Sequence, residues 1–269
     1  MMEILKCIGE FIVDNLLAIS GVSVLAVLGI ILTIRYGRKP VTLSEASIAA
    51  LVERLKVIPP QDASEELKRL DRALACLRKH FPDAIISVDT YRADVAKAVV
   101  ENYAVDIIND ISAGTLDDCM FETVAALNVP YILMHIQCTP LTMQENPVYE
   151  NLMEDIIGYF SKNVHRLRQL GVKDIIIDPG FGFGKTIEHN YEILRHLKDL
   201  KIFDLPILAG LSRKSMIYKV LETDAEYALN GTTVLNTLAL VNGASILRVH
   251  DVKEAVECIK LVQMYRITE

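Results

Sequence analysis

Six short apolar runs in this chain close on polar residues or glycine, while their beginnings carry nothing comparable. They read IISVD (85–89), VDIIND (105–110), YILMH (131–135), DIIID (174–178), PILAG (206–210) and SILRVH (245–250). Each has the length and composition of a strand. Between them, apolar residues recur every three or four positions over 92–103, 117–127, 148–170, 187–200, 227–242 and 252–264, as on amphipathic helices. Residues 44–56 and 65–79 read as two further helices. Strand and helix spacings of this kind suit βα units and predict a parallel sheet in an α/β fold. Asp89, Asn109, Asp110, His135, Asp178, Arg248 and His250 all stand at strand ends. In a TIM (β/α)8 barrel those ends meet at one mouth. An open doubly wound sheet is the competing arrangement, because its ligands also bind beyond the strand ends. Six strands are two short of a closed barrel, and residues 24–34 and 54–58 are atypical candidates for the first two.

With 269 residues and 51% hydrophobic content, the chain can bury a sizeable core. A formal charge of −7 gives no basic field for a phosphate backbone, so nucleic acid is not an expected partner. The five cysteines are scattered and never in C-x-x-C spacing, which reads as reduced thiols in a cytoplasmic setting. Residues 16–34 run for nineteen positions without a charge, enough to cross the hydrocarbon of a bilayer. Arg35, Arg38 and Lys39 follow at once, so a membrane anchor there would leave the rest of the chain cytoplasmic, tethered to the inner face. A buried strand is the alternative, since parallel barrel strands are also apolar throughout. The expected organisation is an apolar N-terminal segment, 1–40, and a barrel domain, 41–269.

Three motifs carry the chemistry. DPGFGFGKT (178–186) invites a phosphate-loop reading, but the Walker pattern needs glycine where Pro179 stands. An acidic strand end followed by a glycine-rich turn fits better, with Phe181 and Phe183 as an aromatic wall. GLSRKS (210–215) leaves a strand at Gly210 and is expected to enter a helix, with Ser212 as N-cap and Lys214 in the first turn. Cations there suggest an anionic or electron-rich ligand. Arg248 and His250 alternate along a strand and share a face. Asp89 and Asp178 can each accept two parallel hydrogen bonds, and Asn109 adds a donor and an acceptor. Together they suit the edge of a guanidine-like ring better than a sugar or a metal. No H-E-x-x-H pair and no G-x-S-x-G elbow appears, which argues against zinc and serine hydrolases.

SVDTYR (87–92), INDISAG (108–114), YILMHIQCTPLTMQ (131–144), DPGFGFGK (178–185), GLSRKSM (210–216) and RVHDVKE (248–254) resemble, in order and spacing, the dihydropteroate synthase family of the folate pathway. The resemblance covers about two thirds of the chain. It implies an eight-stranded barrel and a homodimer joined through late helices. The implied transferase couples p-aminobenzoate to 6-hydroxymethyl-7,8-dihydropterin diphosphate with the help of Mg2+. By the same resemblance, Asp89, Asn109 and Asp178 read the pterin, Met134 and Gly210 line its pocket, and Lys214 contacts the ring. Arg248 stacks on the pterin and, with His250, holds the departing diphosphate. Phe183 and Ser212 receive p-aminobenzoate, and Lys214, Arg248 and His250 are the expected catalytic set.

Two family motifs are missing. The first strand normally reads like MGILNVTPDSF, whose Asn helps to bind magnesium, and the second ends in a D-x-G-G-x-S-x-R-P loop. Neither occurs here, so the metal ligands are not identified. Besides the synthase, a pterin-binding module without turnover and a pterin-dependent methyltransferase therefore stay open.

Overall fold

The computed structural model describes residues 62–137 and 147–267. The expectations for 16–34, 24–34, 44–56, 54–58 and a boundary at residue 40 lie outside them. Among the described residues no helix is long and apolar enough to cross a membrane.

The described chain alternates strand and helix. The order is α1 (Ala63–His80), β1 (Ser87–Asp89), α2 (Ala93–Tyr103), β2 (Ile107–Asp110), α3 (Met120–Leu127), β3 (Tyr131–Met134), α4 (Leu152–Gln169) and β4 (Ile175–Asp178). It continues with α5 (Ile187–His196), a 3-10 turn (Leu197–Phe203), β5 (Leu208–Ala209), α6 (Ser215–Tyr218), a 3-10 turn (Ala225–Tyr227), α7 (Leu229–Val241), β6 (Ile246–Leu247) and α8 (Val252–Ile267). All six expected strands form inside the apolar runs. Local chemistry sets the helix starts. Asp62 and Asn151 accept from the third backbone N–H of α1 and α4, and Thr186 with His189 forms a capping box on α5. At α2 the cap comes from elsewhere: the Asp117 carboxylate accepts from Ala93 N–H at 2.7 Å.

The strands pair in parallel and strictly in chain order. β1 to β4 form one sheet, a bridge from Ile177 to Ile207 joins β4 to the edge of β5, and β5 pairs with β6. A doubly wound sheet reverses its strand order at a switch point; these strands never do. The array also curls on itself, because the Arg248 guanidinium after β6 reaches the Asp89 carboxylate of β1 at 2.6 Å. The described residues form the greater part of a TIM barrel.

Alternation of side chains divides each strand between two cores. Val88, Ile108, Leu133, Ile177 and Ala209 face outward into the main core beneath the helices. Ile132, Ile176 and Leu208, with Ile107 and Ile246 against them, face inward and fill the barrel. The next inward positions along the same strands are Asn109, Met134, Asp178, Gly210 and Arg248. This parity corrects one expectation: Asp110 and His135 have the outward phase and do not join the mouth. Asp110 is fully buried among the helices. There it accepts from Ser112 N–H and Oγ, Gly114 N–H and the Tyr131 hydroxyl at 2.7–2.8 Å, and burial raises its pKa.

Asp110→Ala would leave those buried donors without an acceptor. A stability loss of about 2–4 kcal/mol in urea unfolding is expected. A loss below about 0.5 kcal/mol would contradict the role given to Asp110.

Candidate active site

Inward strand-end residues meet in a connected cluster. Asp89 is its centre: Oδ1 accepts from Asn109 Nδ2 at 2.8 Å, and Oδ2 accepts from Arg248 Nη2 at 2.6 Å. Asn109 is only 1% exposed, and its Oδ1 is buried without a hydrogen-bond partner. A buried carbonyl oxygen left unpaired is costly, so a donor from outside the protein is the group that would complete it. Asp178 is buried nearby, with Oδ1 accepting from Gly180 N–H at 2.8 Å. Burial raises its pKa, opposed by the charges of Lys214, Arg248 and Lys185. The apolar wall comes from Met134 and Ile136, with Ile111 and Phe183 packed against them. Gly210 lies between two cations: a Cβ there would stand 3.7 Å from Lys214 Nζ and 3.8 Å from Arg248 Cβ.

The glycine-rich turn after β4 supports Lys214. Gly180 has φ +71°, and a Cβ on it would fall 2.1 Å from the His135 carbonyl oxygen, which only glycine tolerates. At Gly182, with φ +80°, the added atom would stand 3.2 Å from Lys214 Cδ. Lys214 Nζ donates to the Phe181 carbonyl and lies 4.8 Å from the Phe183 ring centroid, a cation–π contact. Burial lowers the Lys214 pKa to about 8, with Asp178 opposing and Arg248 adding to the shift.

Three local expectations need correction. Phe181 is 0% exposed and belongs to the main core, so Phe183 alone faces the mouth. Ser212 does not cap a helix: α6 starts at Ser215, and Lys214 holds the N-cap position without a side-chain cap bond. The Ser212 hydroxyl instead lies 2.8 Å from His250 Nδ1 and accepts from His250 N–H at 3.3 Å. Lys214 extends toward the β4 loop and not along a helix. Thus Asp89, Asn109, Asp178, Lys214 and Arg248 are brought together, with Met134, Phe183 and Gly210 around them. Ser212 and His250 form an adjoining pair.

Sequence reasoning gave no role to Lys185 or to the Arg213–Asp251 pair. Lys185 is buried with its ammonium bonded to loop carbonyls, which agrees with the rejection of a phosphate loop at Pro179. Arg213 sits at φ +54° between Ser212 and Lys214. It holds this unfavourable conformation through two bonds to Asp251, at 3.0 and 2.8 Å, and bonds to the carbonyls of Ala225 and Glu226. Its signal was its place inside GLSRKS, with Asp251 directly after His250. Among the described residues no three His, Cys, Asp or Glu side chains converge as metal ligands.

Comparison with known proteins agrees with this geometry. The family model described as "Pterin binding enzyme" matches residues 58–250, and the chain belongs to this family of pterin-binding enzymes. The relatives are dihydropteroate synthases. That of Haemophilus influenzae is 39% identical over 201 residues, covering 74% of this chain and 72% of the relative. That of Escherichia coli is 38% identical, covering 74% and 70%. Among solved structures, the Yersinia pestis dihydropteroate synthase with a sulfonamide drug complex superposes with a TM-score of 0.74 at 37% identity, covering 77% of this chain and 76% of that one. The Coxiella burnetii enzyme in complex with pteroic acid gives a TM-score of 0.72 at 35% identity, covering 80% and 78%.

The lowered pKa of Lys214 has a kinetic consequence. The ammonium is the form that can hold an electron-rich ring or an anion, and it loses its proton above pH about 8. The kcat/KM for the pterin substrate should therefore fall by about tenfold per pH unit on the alkaline side, as expected for one ionisation of the free enzyme. A flat profile up to pH about 10 would contradict a charged Lys214 in the pterin pocket.

Proposed function

We propose that this chain is a dihydropteroate synthase that joins p-aminobenzoate to 6-hydroxymethyl-7,8-dihydropterin diphosphate, a transferase step of folate biosynthesis. The observation that carries the pterin half is the unpartnered Asn109 Oδ1 beside the carboxylates of Asp89 and Asp178. A fused heterocycle with adjacent N–H groups supplies the donors these acceptors lack. Met134 and Phe183 offer it apolar contact.

The chemistry asks little of acid–base groups. The C–O bond to the diphosphate breaks and its electron pair leaves with pyrophosphate. The amine nitrogen forms the new C–N bond at the exocyclic carbon and sheds its proton to solvent. Cations fixed around the leaving group stabilise the charge that develops there. Arg248 and Lys214 supply that field, and Arg248 is held in place by Asp89. His250 stands ready at the same rim, oriented by Ser212. Phe183, under the Lys214 ammonium, is the flat surface for the ring of p-aminobenzoate. A relative supports this reading: the dihydropteroate synthase of Xanthomonas albilineans, 31% identical with a TM-score of 0.70, was solved in complex with 7,8-dihydropteroate.

A pterin-binding module without turnover is the second reading, favoured by the absence of the two N-terminal family motifs from the sequence. We place the chain in the cytoplasm, with residues 16–34 as a candidate tether to the inner membrane face. A coupled assay on the full chain with both substrates and magnesium decides between the readings. Turnover is expected, and Arg248→Ala should lower kcat/KM by about a hundredfold. Pterin binding without product would establish the module, and an effect of Arg248→Ala within about threefold would refute its role.

Oligomeric state belongs to the same proposal. Helices α7 and α8 leave Val234, Leu238, Val241, Leu261 and Met264 exposed, and we assign them to a homodimer contact. Sedimentation equilibrium should find a dimer that the Val234→Glu, Leu238→Glu double variant dissociates; a monomeric parent chain would contradict it.

A further inference from the structure

Lys185 takes no part in the steps above, yet it is only 5% exposed. Nζ donates to the carbonyl oxygens of Phe183 at 2.9 Å, Gly180 at 3.1 Å and His135 at 3.3 Å. His135 Nδ1 lies 3.1 Å away. Burial, with the Lys185 charge, keeps that imidazole neutral by lowering its pKa to about 3. An isolated ammonium is expensive to bury, so these contacts are the condition for its presence. They belong to two different strand ends: His135 follows β3, whereas Gly180 and Phe183 lie in the loop after β4.

The front of the same loop carries the site. Gly180 N–H donates to Asp178, the Phe181 carbonyl accepts from Lys214, and the Phe183 ring lies beneath the Lys214 ammonium. Gly182 N–H donates to Asn190 Oδ1 at 2.7 Å, which ties the loop to α5 as well. Lys185 thus adds side-chain ties between the turn and the end of β3 to the backbone bond from His135 N–H to the Asp178 carbonyl at 2.8 Å.

We propose that Lys185 is a positioning residue, whose bonds from the end of β3 to the Gly180 and Phe183 carbonyls hold the glycine-rich loop so that Phe183 is presented to the second substrate. The inference rests on the synthase reading only for its kinetic consequence; the clamp itself is a statement about loop order. Asp89 and Asn109, on β1 and β2, lie outside the clamp, whereas Asp178 and Lys214 touch the loop, so pterin binding should weaken less than binding of the second substrate.

The test uses the full chain with Lys185→Met, which keeps an unbranched arm one atom shorter and removes the charge and donors. Without substrates, amide hydrogen exchange across residues 180–184 should quicken by about tenfold while β2 amides keep their protection. In the assay, KM for p-aminobenzoate should rise by about tenfold while the dissociation constant of the pterin, from calorimetry, stays within about threefold. Unchanged loop exchange, or equal acceleration throughout the barrel, would overturn the clamp. Equal weakening of both substrates would overturn its consequence for the second site. If Lys185→Met does not fold, Lys185→Gln, which keeps two N–H donors on a shorter arm, takes its place with the same readouts. If the parent chain turns nothing over, the proposed function fails, while the exchange experiment still judges the clamp.

Discussion

The ion pair between Arg248 and Asp89 is the contact on which the site depends. It joins the last described strand to the first across 159 positions of sequence and lies inside the mouth. Everything else follows from parallel strands whose side chains alternate. One residue in two fills either the barrel or the layer beneath the helices. The inward phase that is apolar at Ile107, Ile132, Ile176, Leu208 and Ile246 becomes Asn109, Met134, Asp178, Gly210 and Arg248 two residues on. The barrel needs no special loop to gather these groups, since strand register does it.

Charge balance constrains the same region. Asp89 and Asp178 face Arg248, Lys214 and, from behind the loop, Lys185. Burial pushes the carboxyl of Asp178 up and the amines of Lys214 and Lys185 down, the latter to about 7, while mutual attraction opposes each shift. Such a cluster is poised for exchange: a ligand bringing N–H donors and a diphosphate offers each group a new partner without requiring an isolated buried charge. Preorganised charges of this kind are the usual source of leaving-group stabilisation.

Much of this arrangement was legible in the residues. The six strands stood out because apolar runs of fixed phase ended in chemistry, and the barrel order followed from βα alternation. What the sequence obscured were matters of phase and reach. Asp110 and His135 looked equivalent to Asn109 and Asp178, but one step along a strand turns a side chain to the opposite face. Phe181 and Phe183 looked like a pair, yet the turn at Gly182 sends one into the core and the other to the mouth. Ser212 had a cap's position and composition; the left-handed Arg213 delays the helix to Ser215 and frees the hydroxyl for His250. Pro179 already kept Lys185 out of a phosphate loop, and only the geometry of its carbonyl partners gives it a role.

The most direct measurement is calorimetric titration of a 6-hydroxymethylpterin into the full chain and two carboxamide variants, Asp178→Asn on the inward phase and Asp110→Asn on the outward phase. The account predicts that Asp178→Asn weakens binding by about tenfold or more, whereas Asp110→Asn, though less stable, binds within about threefold of the parent chain. Equal losses in both variants, or no binding by the parent chain, would contradict the claim that the inward strand ends form the pterin pocket.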